Sequence, residues 1–108
     1  MDTFKIKKND TKPYLAVTLQ YSDGTVVDLT DGTVQFNLGD KNHSNVHSAS
    51  ATITDATAGQ CEYRWDGIND TSKVGSFLGE FQVTLADSKV ITFPNDHSLQ
   101  VEIYKDYD

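Results

Sequence analysis

The chain has one cysteine, Cys61, among 108 residues. No disulfide can form within it, so packing alone must hold the fold. No apolar run approaches the ~20 residues that a membrane-spanning helix needs. The opening Met1-Asp2-Thr3-Phe4-Lys5 leads into charge, not into the apolar stretch of a signal peptide. Basic residues are scarce: nine Lys and Arg stand against sixteen Asp and Glu, a net charge of −7. That balance opposes binding to phosphate backbones, which needs basic patches that displace counterions. Neither nucleic acid nor a membrane is expected as a partner. Helical periodicity is absent as well. No segment of about 11 residues carries an apolar face at a spacing of three and four. The best candidate for a helical turn, Ile68-Asn69-Asp70-Thr71-Ser72-Lys73, is short and polar.

What the chain has is dense, regular punctuation. Turn signals stand at Ser22-Asp23-Gly24, Asp31-Gly32, Leu38-Gly39-Asp40, Asp55-Ala56-Thr57-Ala58-Gly59, Asp66-Gly67, Ala86-Asp87-Ser88 and Pro94-Asn95-Asp96. Glycine reaches positive φ cheaply, and Asp or Asn side chains bond their own backbone, so such clusters end strands. Between them, residues alternate with period two. Phe4 and Ile6 alternate with lysines; Leu15, Val17 and Leu19 form one parity, as do Val34, Phe36 and Leu38. Ala49, Ala51 and Ile53 follow the same rule, then Cys61, Tyr63 and Trp65. Phe77, Phe81, Val83 and Leu85 share a parity in which Gly79 fills the gap, and Leu99, Val101 and Ile103 end the series. Short strands with turns every ~8–12 residues predict an all-β chain, an antiparallel β-sandwich of immunoglobulin-like type with about seven or eight strands. Length predicts one domain over residues 1–108. The Cys…Trp…Cys spacing of antibody domains is missing, so that likeness concerns architecture only.

The chemistry-bearing residues are few. His43, His47 and His97 are the candidates for a base near neutral pH, and all stand in or beside polar loops. Ser44 and Ser48 neighbour two of them, but no Gly-x-Ser-x-Gly elbow occurs. Cys61 lies on the parity of Tyr63 and Trp65 and reads as a buried, inert thiol. His43 and His47 are four apart, a ligand spacing only on a helix, whereas Gly39 to Asn45 reads as a loop. Asp23, Asp28 and Asp31 sit close in sequence without the Asp-x-Asp-x-Asp-Gly order of a calcium loop. No catalytic residue, metal ligand or cofactor is expected, and the chain does not read as an enzyme. Lys5, Lys7 and Lys8 form the one basic cluster, on an N-terminal strand. Edge lysines guard against edge-to-edge aggregation, but they also offer a docking surface, and the three are the candidate partner contacts. Tyr14, Tyr21, Tyr104 and Tyr107 are expected at the surface. They support an alternative reading as a carbohydrate- or host-surface-binding sandwich.

The order of short motifs carries a resemblance. Lys8-Asn9-Asp10-Thr11 precedes Leu15-x-Val17-Thr18-Leu19, Asp23-Gly24-Thr25, Val27-Asp28-Leu29-Thr30 and Thr33-Val34-x-Phe36. Ala51-Thr52-Ile53-Thr54-Asp55, Tyr63-x-Trp65, Gly75-x-Phe77, Gly79-Glu80-Phe81 and Thr92-Phe93-Pro94-Asn95 follow. From about Phe4 to about Ile103, this succession resembles the N-terminal domain of upper baseplate proteins from phages of Gram-positive bacteria. The resemblance implies a virion structural protein of baseplate, tail or head surface, assembled in the host cytoplasm and located in the virion. It implies docking onto other virion proteins and further copies of itself, with avidity compensating for weak single contacts.

Overall fold

A computed structural model describes residues 2–40, 42, 44–94 and 99–105. Among them the chain forms β1 (Asp2–Lys7), β2 (Leu15–Thr18), β3 (Thr33–Gly39), β4 (Asn45–Ser50) and β5 (Thr52–Asp55). It continues through β6 (Gln60–Tyr63), β7 (Gly75–Thr84), β8 (Val90–Phe93) and β9 (Leu99–Tyr104). The larger sheet runs β1-β9-β7-β3-β4, with β8 also paired to β7; the smaller runs β2-β6-β5. No helix is long and apolar enough to cross a membrane.

The period-two residues are the inner faces. β7 alternates without a break: Phe77, Gly79, Phe81 and Val83 are buried, and Ser76, Glu80 and Thr84 are exposed. Its partner β3 buries Val34, Phe36 and Leu38 in matching register, with Phe36 opposite Phe81. The small sheet supplies Cys61 and Tyr63 from β6, and Trp65 continues that parity just past the strand. The aromatics interlock across the gap between sheets. The Phe36 ring lies 4.4 Å from that of Tyr63, 5.0 Å from Phe81 and 5.8 Å from Trp65. Trp65 meets both Phe36 and Tyr63 edge-on, the arrangement that sets a ring's positive rim against a neighbour's π-face. Gly79 makes room for this cluster. A Cβ there would stand 3.1 Å from two carbons of the Phe36 ring.

The structure refines the expected count and directions. Among the described residues nine strands form rather than seven or eight, for two reasons. The run expected through Ala49, Ala51 and Ile53 is two strands: the chain leaves the large sheet after Ser50 and enters the small one at Thr52. Ala51 at the crossing donates its N–H to the Val34 carbonyl at 2.9 Å. The second addition is β8, too short and too exposed to alternate clearly. One pair is parallel, β1 with β9, setting Phe4 opposite Val101 and Ile6 opposite Ile103. Val27 and Leu29 are fully buried although they lie outside regular strands. Backbone bonds hold them against the small sheet, Val27 N–H to Leu19 and Leu29 N–H to Ala56, both at 2.9 Å. The Ile68–Lys73 stretch forms no helical turn. Pro94-Asn95-Asp96 falls largely, and Asp106-Tyr107-Asp108 wholly, outside the described residues.

Two outcomes follow from this core. Truncating Trp65 or Phe81 to Ala should cost ~3–5 kcal/mol, against a total stability of ~5–15 kcal/mol for a typical domain. A circular-dichroism melt should show either variant largely unfolded near 37 °C, a temperature at which a domain of ordinary stability keeps only a few kcal/mol in hand. A midpoint within a few degrees of wild type would refute the packing described. Cys61 is buried, and desolvation pushes its thiol up to about 11. A thiol reagent should therefore label it slowly in buffer and quickly in denaturant; rapid labelling of the native protein would place the residue on the wrong face.

Candidate functional site

β4 is an edge strand of the large sheet, and its half-buried parity carries His47 and Ala49. His47 is thus a strand residue on the inward side, not a loop residue. Across the gap, the chain leaves β6 through Trp65 and turns at Asp66-Gly67 into an irregular loop that reaches Asp70 and Thr71. These two elements bring together His47, Asp66 and Asp70. One ligating atom from each lies within 4.8 Å of the other two.

The loop owes its shape to its aspartates. Asp66 Oδ1 accepts the backbone N–H groups of Ile68 and Asn69, both at 2.8 Å, and its Oδ2 accepts Asn69 Nδ2 at 3.2 Å. Asp70 is 97 % buried, with 3 % of its surface exposed. Its Oδ2 accepts the Tyr63 hydroxyl at 2.5 Å and the Asp66 N–H at 2.9 Å, and its Oδ1 accepts the Gly67 N–H at 3.0 Å. Side chains that bond nearby N–H groups compete with helix, which is why a helical turn fails here. A buried carboxylate is tolerable only when so satisfied.

The N-terminal segment clasps the loop from outside. Asn9 donates its side-chain Nδ2 to the Gly67 carbonyl at 2.8 Å and its backbone N–H to Thr71 at 2.9 Å. Thr71, fully buried, returns its hydroxyl to the Asp10 carbonyl at 3.1 Å. Gly67 has φ of +79°, and a Cβ there would stand 2.9 Å from the Asn9 carbonyl oxygen. Both facts demand glycine.

Charge at the site follows from these bonds. Backbone N–H donation from Asn69 and Ile68 draws the exposed Asp66 carboxyl down to about 2, against an ordinary 3.8. Tyr63 moves the other way: burial, with Asp70 beside it, holds the phenol far above the usual tyrosine range. Over ordinary pH, then, Asp66 is a carboxylate and Tyr63 a hydrogen-bond donor. Each aspartate retains acceptor capacity, since a carboxylate offers about four lone-pair sites and each has three donors.

The other candidates separate from this site. Lys5 and Lys8 are exposed and Lys7 half-buried along β1, which is indeed an edge strand. They lie on a different part of the molecule's sequence of strands from His47. Asp23 and Asp28 are turn residues: Asp23 accepts the Thr25 N–H, and Asp28 accepts both the N–H and the hydroxyl of Thr30. Tyr14 is half-buried, with the cations of Lys12 and Arg64 at 5.6 and 5.3 Å from its ring centre, and among the described residues Tyr21 and Tyr104 are exposed as expected. Lys41, His43, His97 and Tyr107 lie outside the described residues.

The sequence reading took Asp66 as a turn residue and Asp70 as part of a short polar stretch, and named no metal ligand. The signal available was two aspartates four apart around Gly67, ordinary turn chemistry on its own.

No protein-family model and no curated protein matches the chain. The fold is similar to that of CopC from Methylosinus trichosporium OB3b, with a TM-score of 0.52 at 11% identity. The similarity covers 100% of this chain and 89% of that one. Identity at that level speaks to the fold. It also corrects the expectation drawn from the motif order. The similarity is to CopC, which gives no support to a baseplate or other virion role. The virion structural role, the phage and baseplate description and the virion localisation are withdrawn accordingly, as is the sugar- or host-surface-binding alternative. The motifs that suggested them are mostly turns, and turns of this kind recur wherever a sandwich needs corners.

The depressed Asp66 carboxyl has a consequence for acid stability. A group whose acidity is stronger folded than unfolded stabilises the fold above its unfolded value, near 3.8, and loses that contribution as pH falls through about 2. In metal-free buffer, the melting-temperature gap between wild type and Asp66→Asn should be widest above pH 4 and should close towards pH 2, the window these two values define. A gap that stays constant across that range would contradict the assignment.

Proposed function

We propose that this chain is a metal-binding β-sandwich module, not an enzyme, whose site is His47, Asp66 and Asp70. One observation carries the reading: an imidazole from the edge of the large sheet and two carboxylates from the loop after β6 converge with their ligating atoms within 4.8 Å of one another. One nitrogen and two oxygen donors suit a divalent first-row transition ion, for which affinities rise from Mn²⁺ towards Cu²⁺ and then fall at Zn²⁺. The ion itself is the cargo or structural element, and the chain supplies the donors. His47 binds through a neutral imidazole, while Asp66, ionised over ordinary pH, supplies charge. The binding reading is also supported by the state of the lone cysteine. Buried and with its thiol pushed up to about 11, it is the opposite of an activated nucleophile. The likeness to CopC bears on the scaffold and adds no ligand to this set.

Calorimetric titration of the EDTA-stripped protein with Zn²⁺ and Cu²⁺ tests the reading. Saturable binding of one ion per chain is expected, and His47→Ala and Asp66→Ala should each weaken it at least ~10-fold, about 1.4 kcal/mol. Ion at 100 times its dissociation constant should stabilise the fold by about 2.7 kcal/mol, raising the melting temperature by roughly 10–20 °C. Absence of saturable binding, or unchanged affinity in both variants, would overturn the proposal.

A further inference from the structure

We infer that Tyr63 is a positioning residue that sets the metal preference of this site by confining Asp70 to binding through one oxygen. The inference rests on the metal-binding reading above and deepens it.

The argument is a count of lone pairs. Each carboxylate oxygen has two. Asp70 Oδ2 accepts the Tyr63 hydroxyl and the Asp66 N–H, which occupy both of its lone pairs. Among the described residues Oδ1 accepts the Gly67 N–H alone and keeps one lone pair. Asp70 therefore meets an ion through Oδ1 only. Asp66 is limited in the same way, because its Oδ1 accepts two N–H groups and its Oδ2 one amide. Three single-atom donors match ions that accept four to six ligands with directional preference. They match Ca²⁺ poorly, since it takes six to eight oxygens and commonly chelates a carboxylate through both.

Of the donors to Asp70 among the described residues, only the Tyr63 hydroxyl belongs to a side chain. The rest are backbone and cannot be removed without moving the loop. The phenol is buried, so the restriction is built into the core. The ring is pinned against Phe36 at 4.4 Å, so the hydroxyl cannot swing away. Tyr63→Phe keeps the ring and returns a lone pair to Oδ2.

The experiment compares Zn²⁺ and Ca²⁺ affinities of the full chain, wild type and Tyr63→Phe, after chelator stripping. Zn²⁺ binding by the variant should weaken ~10-fold or more, as expected when an outer partner of a ligand is lost. Ca²⁺ affinity relative to Zn²⁺ should rise by at least ~10-fold, because Asp70 can now chelate. A merely structural role would weaken both ions together and leave the ratio unchanged within about twofold, and that result overturns the inference. Wild type that binds no Zn²⁺ overturns the metal-binding reading and this inference with it; wild type that binds while the ratio holds overturns this inference alone. A measurement on the wild type covers the case of a variant that does not fold. The Tyr63 hydroxyl proton should give a slowly exchanging NMR signal that persists when Zn²⁺ saturates the site. Its loss on Zn²⁺ loading would mean that the ion has taken Oδ2, and the inference fails.

Discussion

The packing of Tyr63 on Phe36 is the interaction on which the rest depends. The two rings belong to different sheets, and their 4.4 Å separation fixes how far apart the sheets lie. Phe36 in turn touches Phe81 and Trp65, so one ring position sets the aromatic centre of the core. The far end of Tyr63 is polar. Its hydroxyl satisfies Asp70, a nearly buried carboxylate that would otherwise carry a desolvation cost of several kcal/mol. Core packing and site geometry are therefore one constraint. A shift of the ring moves the hydroxyl, and with it the carboxylate that shapes the loop.

That loop has no regular secondary structure, yet it is well determined. Asp66 and Asp70 consume the N–H groups of Asp66, Gly67, Ile68 and Asn69, so these four donors are satisfied without helix or strand. Asn9, Asp10 and Thr71 tie the outside of the loop to the segment that follows β1. The N-terminal strand thus does two things. It closes the large sheet beside β9, and its continuation holds the loop that carries Asp66 and Asp70.

Much of this fold was legible because alternation is a local signal. Val34, Phe36 and Leu38, or Cys61, Tyr63 and Trp65, announce their buried face from spacing alone, and Gly79 announces a close approach by interrupting a row of large residues. The corner at Ala51 was not legible, since alternating residues on either side continue the same parity through a change of sheet. β8 is half-exposed and too brief to alternate. The site was hidden for a different reason. His47 stands about twenty residues from Asp66, and nothing in the sequence reports that β4 faces the loop after β6; only the strand order and the β3–β4 register do. Asp70 was further disguised, because a polar stretch with an aspartate reads as solvated loop. Its burial comes from the Tyr63 hydroxyl, a long-range partner only once the strand has been placed. The motif order misled for a related reason: Asp-Gly-Thr and Phe-Pro-Asn are corner chemistry, and corners report the sandwich, not its use.

The charge at the loop gives the site its direction of response. A pair of carboxyl groups with oxygens within 4.8 Å, Asp70 buried and Asp66 exposed, lies in a chain that already carries −7. Two unit charges at that distance repel by about 1–3 kcal/mol at effective dielectric constants between those of water and a protein surface. Five N–H donors and one hydroxyl offset that repulsion without removing it, because they are dipoles set in place by the loop. At Asp66 the same donors pull the carboxyl down to about 2, so a proton there does not relieve it at ordinary pH. A divalent cation cancels both charges. The hydrogen bonds that build the loop thus hold Asp66 charged beside Asp70, and the proposed dication site rests on that charge.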